Sequence, residues 1–221
     1  LPVLLNERRR HAIIEKTARK ERDDLMRGGR LLIDMHVHLA RYEVLSDSTR
    51  EWFISLYPSE AAYQAVCEAN ASPDDFCAML AEQGVDYAVI LAEDTPAVTG
   101  VADNQMVADF CKGHPQLLPF CTFDPLKERD MPGQLRQLAA EGFRGVKLYP
   151  TYNFFYPNAP MMYPLYETAQ ELGPPVMFHT GLSVFKGSRL KYGNPVFYDD
   201  IAVDFPELKI IMCHGGRDCW Y

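Results

Sequence analysis

The 221-residue chain has six cysteines (Cys67, Cys77, Cys111, Cys121, Cys213 and Cys219) but no Cys-x-x-Cys pair. Most of them fall inside predicted helices or strands. That excludes a disulfide framework and reads as reduced, mostly buried thiols of a cytoplasmic protein. Basic residues are in deficit: 22 Lys and Arg stand against 30 Asp and Glu, a formal net charge of −8. A phosphate backbone needs a basic surface, so no nucleic-acid partner is expected. A local basic pocket could still receive a small anionic substrate. No apolar run approaches the ~20 residues of a membrane span. Leu1 to Leu5 is too short for a signal-peptide core and runs into Arg8-Arg9-Arg10. What remains is an ordinary globular composition, 48% hydrophobic and 24% charged, long enough for one α/β domain.

Residues 6–27 are strongly charged, with Ile13, Ile14, Ala18 and Leu25 as sparse apolar positions. We read residues 1–30 as a charged N-terminal helix or arm, ended by Gly28-Gly29. An arm of this kind is compatible with a homodimer. Residues 31–221 form the remaining domain. Six short apolar runs follow, each suited to a buried strand: Leu31–Val37, Val85–Leu91, Leu117–Phe123, Phe143–Tyr149, Pro175–Thr180 and Leu208–His214. After the first, their starts (85, 117, 143, 175, 208) are 32, 26, 32 and 33 residues apart. That period holds a strand, a helix and two turns, the βαβ unit whose strands pair in parallel.

Helices fill the gaps. Ser72-Pro73-Asp74-Asp75 starts one that stops at Gly84: serine caps it, proline takes the first turn and the acids face the positive end of the dipole. Others are expected at about 103–112, 128–141 and 162–172, with a weaker one at 195–204. The first gap is longer, 54 residues (31 to 85), and carries Trp52, Phe53, Tyr57 and Tyr63. It reads either as a lid or wall over a site or as a surface excursion with its own small core.

An even βα repeat fits two architectures. A doubly wound sheet calls for a glycine-rich phosphate loop after its first strand, and the chain has none. A (β/α)8 TIM-type barrel gathers its chemistry at the C-terminal ends of its strands. The polar residues lie there: His36 and His38, Asp94, Asp124, Lys147, His179 and His214. The barrel is the fold expected, with about six βα units in this chain. Side chains at i and i+2 of a strand point the same way, so His36 and His38 present two imidazoles from one rigid element, with Asp34 on the same face. Neutral imidazole is a common ligand of Zn²⁺ and its neighbours. Glycines 215 and 216 behind His214 allow close backbone approach, as a crowded site or a plain tight turn would need.

Four motifs, in order, resemble the amidohydrolase superfamily, and more narrowly its amidohydrolase-2 branch of aminocarboxymuconate-semialdehyde decarboxylase-like proteins. They are Ile33-Asp34-Met35-His36-Val37-His38, Gly145-Val146-Lys147-Leu148-Tyr149-Pro150, Phe178-His179-Thr180-Gly181 and Cys213-His214-Gly215-Gly216. The resemblance implies His36, His38 and His179 as ligands of one divalent metal ion, expected as Zn²⁺. It implies His214 as a further ligand or an acid/base, and Lys147 as a contact to a substrate carboxylate or to the groups behind the site. The family's strand-eight aspartate has no counterpart, and the barrel is expected to be incomplete at its C-terminus by two βα units, about 60 residues. Asp218 is a distant substitute for that carboxylate.

The activity implied is that of a metal-dependent hydrolase, with metal-activated water attacking a small ester, lactone or amide. Non-oxidative decarboxylation of an unsaturated or aromatic acid is the second reading, and a truncated, non-catalytic chain the third. The expected partner is a small molecule carrying a carboxylate. Tyr149 is expected to line its pocket, and Arg50, or Arg41 in the same insertion, to contact it. His114 reads as a surface loop residue.

Overall fold

The computed structural model describes residues 28–39 and 41–215. The charged stretch of residues 1–27, Asp218 and Cys219 lie outside them. All six anticipated strands form, as one parallel sheet: β1 (Ile33–His38), β2 (Tyr87–Leu91), β5 (Leu117–Thr122), β6 (Gly145–Leu148), β7 (Val176–His179) and β8 (Ile210–Cys213), hydrogen-bonded in that order. Two further strands, β3 (Glu93–Thr95) and β4 (Gly100–Ala102), pair antiparallel as a separate hairpin just beyond β2. The helices between sheet strands are α3 (Pro73–Gln83), α4 (Asn104–Cys111), α5 (Met131–Ala140), α7 (Tyr163–Leu172) and α8 (Phe197–Asp204), with a single turn, α6 (Pro150–Asn153), directly after β6. The sheet is the greater part of a TIM-type barrel wall, and β1 and β8 are its edges among the described residues.

Alternation along the strands sorts side chains into two layers. Outward residues such as Ala88, Ile90, Cys121, Val146, Leu148, Val176 and Phe178 pack with Phe76, Leu80, Val107, Leu135 and Leu165 of the helices in one large core. Inward residues Val89, Leu91, Phe120, Met177 and Cys213 make a second, smaller cluster. Lys147 shares their phase and is fully buried among them. Gly145 is inward too, and a Cβ there would stand 2.3 Å from the Phe120 ring, so the strand needs its small residue at that point.

Helix boundaries follow their caps. Ser72 accepts from the Asp75 amide and opens α3 as anticipated, and Gly84, in the left-handed region, closes it. The helix anticipated from 128 begins only at Met131, because Asp130 caps it through the Gly133 amide at 2.9 Å. The β3–β4 hairpin was not anticipated. Its strands have three residues each and no run of alternating apolar residues long enough to announce them.

The long first connection forms helices α1 (Asp47–Ile54) and α2 (Glu60–Ala69). Each is capped by a serine, Ser46 and Ser59. Of the two readings, the wall is the one the structure forms: Phe53 of α1, Tyr57 of the turn after it and Tyr63 of α2 face a cavity over the strand ends. Phe53 stacks on Tyr63 at 5.6 Å and meets Phe185 from the β7–β8 connection at 5.8 Å. No helix among the described residues is long and apolar enough to cross a membrane.

Candidate active site

Four imidazoles gather at the C-terminal ends of β1, β7 and β8. The phase of β1 sends His36 and His38 inward, while Val37 between them joins the helix-side core. Their ring centroids are 5.1 Å apart. His214, just past β8, lies 5.2 Å from His36 and 4.8 Å from His179. The rings thus run 38–36–214–179 across the mouth of the half-barrel. His214 takes φ of +63°, a left-handed conformation uncommon outside glycine, although histidine is among the residues enriched there. That turn, directly after the strand, accompanies the placing of its ring between His36 and His179. Strain of this sort persists where surrounding structure holds it, and it clusters at functional sites.

The two Nε2 atoms of His36 and His38 are 3.1 Å apart. Two nitrogens each about 2.1 Å from one cation stand about 3.0–3.4 Å apart at octahedral to tetrahedral angles. The observed spacing fits a ligand pair, and equally a hydrogen bond between the two rings in the absence of a cation. His38 Nδ1 lies 3.0 Å from Glu93 Oε2, so a hydrogen there is donated to the carboxylate and the Nε2 lone pair is left facing the site. His179 is buried, and its Nε2 has no hydrogen-bond partner. An orphaned imidazole nitrogen costs free energy unless something binds it. The donor chemistry fits a divalent cation on these points. Among the described residues no group of three or more His, Cys, Asp and Glu side chains is already drawn together closely enough to hold a metal ion.

Electrostatics keep two of these rings, His36 and His179, neutral. Burial, then the charge of Lys147 and of the neighbouring rings, lowers His36 to about 3. Burial and the same charges carry His179 well below its usual range. Metal ligation needs unprotonated imidazole, so neither His36 nor His179 has a proton to expel at neutral pH. Lys147 sits beneath the rings, its Nζ donating to Cys213 Sγ at 3.1 Å. Burial pushes its amine down against the opposing pull of Cys213 and Glu93. For Glu93, burial would raise the carboxyl, but the charge and hydrogen bond of His38 and the hydroxyls of Thr99 and Thr95 outweigh it and hold the group low.

The cavity above the rings has a volume of about 440 Å³. His36, His38, His179, His214 and Glu93 form its polar end; Leu39, Val44, Phe53, Tyr63, Val66 and Phe185 are among the residues of its apolar wall. Tyr149 lines it as anticipated, its hydroxyl donating to the Ala92 carbonyl at 2.9 Å. Tyr152, in the aromatic stretch after β6, lines it too and packs on His179 at 4.6 Å.

Neither Arg50 nor Arg41 is among the lining residues. The Arg50 guanidinium donates to the Leu45 carbonyl at 2.8 Å, pairs with Asp47 and lies over the Tyr42 ring. Asp94 and Asp124 both pair with Lys127, each at 3.1 Å, and are not among the residues lining the cavity. His114 pairs with Asp74 on the surface. Glu93 went unnoticed in the sequence. Its neighbour Asp94 drew attention instead, and only the phase of β2 continued past Leu91 selects residue 93 as inward.

The amidohydrolase-2 family model, described as amidohydrolase, matches residues 33–218. None of the curated proteins compared matches the chain. Among solved structures, an uncharacterised TIM-barrel protein from Bordetella bronchiseptica aligns with a TM-score of 0.66 at 22% identity, over 85% of this chain and 68% of that one. A 5-carboxyvanillate decarboxylase from Novosphingobium aromaticivorans, complexed with manganese and 4-hydroxy-3-methoxy-5-nitrobenzoic acid, aligns at 0.61 and 19% identity, over 85% and 66%. A probable 2-pyrone-4,6-dicarboxylic acid hydrolase from Acinetobacter baumannii, with citric acid bound, aligns at 0.53 and 16%, over 83% and 58%. A 2,6-dihydroxybenzoate decarboxylase shares the fold as well. The chain spans between 58% and 68% of the length of the three described in full.

Proposed function

The chain belongs to the amidohydrolase-2 family, and from that premise we propose that it is a divalent-metal-dependent enzyme that removes CO₂ from a small carboxylic acid without oxidation. The observation that carries the reading is the pair of Nε2 atoms 3.1 Å apart together with buried His179, whose Nε2 has no hydrogen-bond partner. His36, His38 and His179 would hold the cation, Zn²⁺ or Mn²⁺. Bound there, it supplies Lewis acidity, anchoring the substrate carboxylate and stabilising charge that builds up during reaction.

The remaining work falls to the chain's own groups. Phe53, Tyr63 and Phe185 wall a flat, apolar body of substrate away from water. His214, between His36 and His179, delivers a proton to the carbon from which the carboxyl leaves, so that R–COO⁻ and H⁺ become R–H and CO₂. Lys147 acts from below through its field on the rings and touches no substrate. A hydrolase built on the same donors was the leading expectation from the motifs. Two considerations favour decarboxylation. Of the similar structures described above, two bear a decarboxylase's name and one a probable hydrolase's. The wall is also apolar, as suits a step that turns a charged carboxylate into neutral CO₂. Free thiols at all five described cysteines fit a reducing compartment, the cytoplasm.

The test pairs metal analysis with two assays on one preparation: CO₂ release from hydroxybenzoic acids and hydrolysis of aryl esters and lactones. CO₂ release that stops on chelation and returns with Zn²⁺ or Mn²⁺ is expected. Metal-dependent hydrolysis without CO₂ release would restore the hydrolase reading, and neither activity in metal-loaded protein would refute both.

A further inference from the structure

Glu93 is a buried carboxylate in the site for which the reaction has no direct use. Its side chain is 15% exposed, and every oxygen is engaged. Oε2 faces His38 Nδ1 at 3.0 Å; Oε1 accepts from Thr95 Oγ1 at 3.1 Å and from Thr99 Oγ1. The two hydroxyl oxygens also touch each other, so two hydrogens are shared among the three contacts. All three residues belong to the β3–β4 hairpin or its loop, and the loop is in turn fastened to the cavity wall. The Ser46 amide donates to the Thr99 carbonyl at 2.8 Å; the Ser46 and Thr49 hydroxyls donate to the Val98 carbonyl at 2.5 and 3.1 Å. Gly100 lets the hairpin close against this segment, since a Cβ there would lie 2.0 Å from the Val44 carbonyl oxygen.

We propose that Glu93 is a positioning residue: it fixes the ring of His38 with the proton on Nδ1 and Nε2 turned to the cation, and the hairpin fastens that hold to the wall helix α1. The inference rests on the metal reading above. A ligating histidine is oriented by what its other nitrogen donates to, and losing such a partner costs 10–100-fold in metal affinity. In Glu93, one oxygen aims the ring while the other is pinned by two hydroxyls, so the carboxylate has a single pose. Thr99 is the hinge-pin of the arrangement. Its hydroxyl serves Glu93 and its carbonyl serves the start of α1, so substrate packed against Phe53 and the cation on His38 share one rigid support.

The experiment compares wild type with Glu93→Gln, Glu93→Ala and Thr99→Val. Zn²⁺ affinity is read by chelator competition, and the tautomer of His38 by ring ¹⁵N shifts in metal-free protein. Glutamine keeps an acceptor for Nδ1–H and the fold. We expect affinity about tenfold weaker in Glu93→Gln and up to about 100-fold weaker in Glu93→Ala. We also expect Nδ1–H in wild type to give way to a mixture in Glu93→Ala, and an intermediate loss in Thr99→Val. Folded variants that bind Zn²⁺ as wild type does overturn this inference and leave the metal reading standing. Wild type that binds no divalent cation overturns both.

Discussion

At the scale of single residues, the site depends on imidazoles gathered close together, with His36 and His179 held neutral. His36 has its pKa lowered to about 3 by burial and by Lys147, against about 6.5 when unfolded. The unfolded chain therefore binds more protons between those values, and stability rises with pH through this window and levels off above it. Metal-free protein is expected to lose melting temperature as pH falls from about 6.5 toward 4, and a His36→Gln variant to lose less over the same range. Parallel curves for the two would mean that His36 is not held neutral. His179→Asn should weaken cation binding by about 100-fold or more, since even supporting partners of a ligand cost 10–100-fold; unaltered Zn²⁺ affinity would remove it from the ligand set. Much of this site was legible in the chain. His36 and His38 sit at strand spacing, and His179 and His214 each follow an apolar run, so four imidazoles could be placed at strand ends from alternation alone. Glu93 could not. It lies two residues past the last apolar position of β2, where period-two phase must be carried beyond the visible strand. Arg50 shows the opposite failure: its charge suggested a carboxylate contact, and only the fold reveals that its guanidinium is taken up by the Leu45 carbonyl and Asp47.

At the scale of elements, the parallel strands announced themselves because both faces are buried, giving apolar runs bounded by glycine and proline. Helix α3 announced itself by its cap. The β3–β4 hairpin is specified by tertiary contact more than by local pattern. Ser46, Thr49 and Val44 approach it from far along the chain, and Gly100, with φ of +131°, makes that approach possible. Gly100→Ala should cost about 2 kcal/mol or more through overlap and backbone strain together. That is about 4–8 °C in melting temperature for a chain of this size. A change below 1 °C would show that the hairpin adjusts freely. The wall helices α1 and α2 make a separate prediction. Phe53→Ala removes an apolar contact to substrate without touching a donor, so KM should rise about tenfold with metal content unchanged. A drop in bound metal, or an unaltered KM, would contradict the assignment of Phe53 to the substrate wall.

At the scale of the molecule, six parallel strands curve into the larger part of a barrel and bring residues from positions 36 to 214 into one layer at its mouth. The polymer order of these groups carries no hint of their meeting; the βα repeat does, because every unit returns the chain to the same end of the sheet. The apolar outer residues of the edge strands, Ile33 and Met35 on β1 and Met212 on β8, are exposed among the described residues. The central claim is that the histidines of β1 and β7 share one divalent cation. Crystals of the protein grown with Mn²⁺ or Zn²⁺ and recorded at the metal's absorption edge test it most directly. The account predicts a single anomalous peak about 2.0–2.2 Å from Nε2 of His36, of His38 and of His179; a peak bound elsewhere, or none at these three nitrogens in metal-loaded crystals, would contradict it.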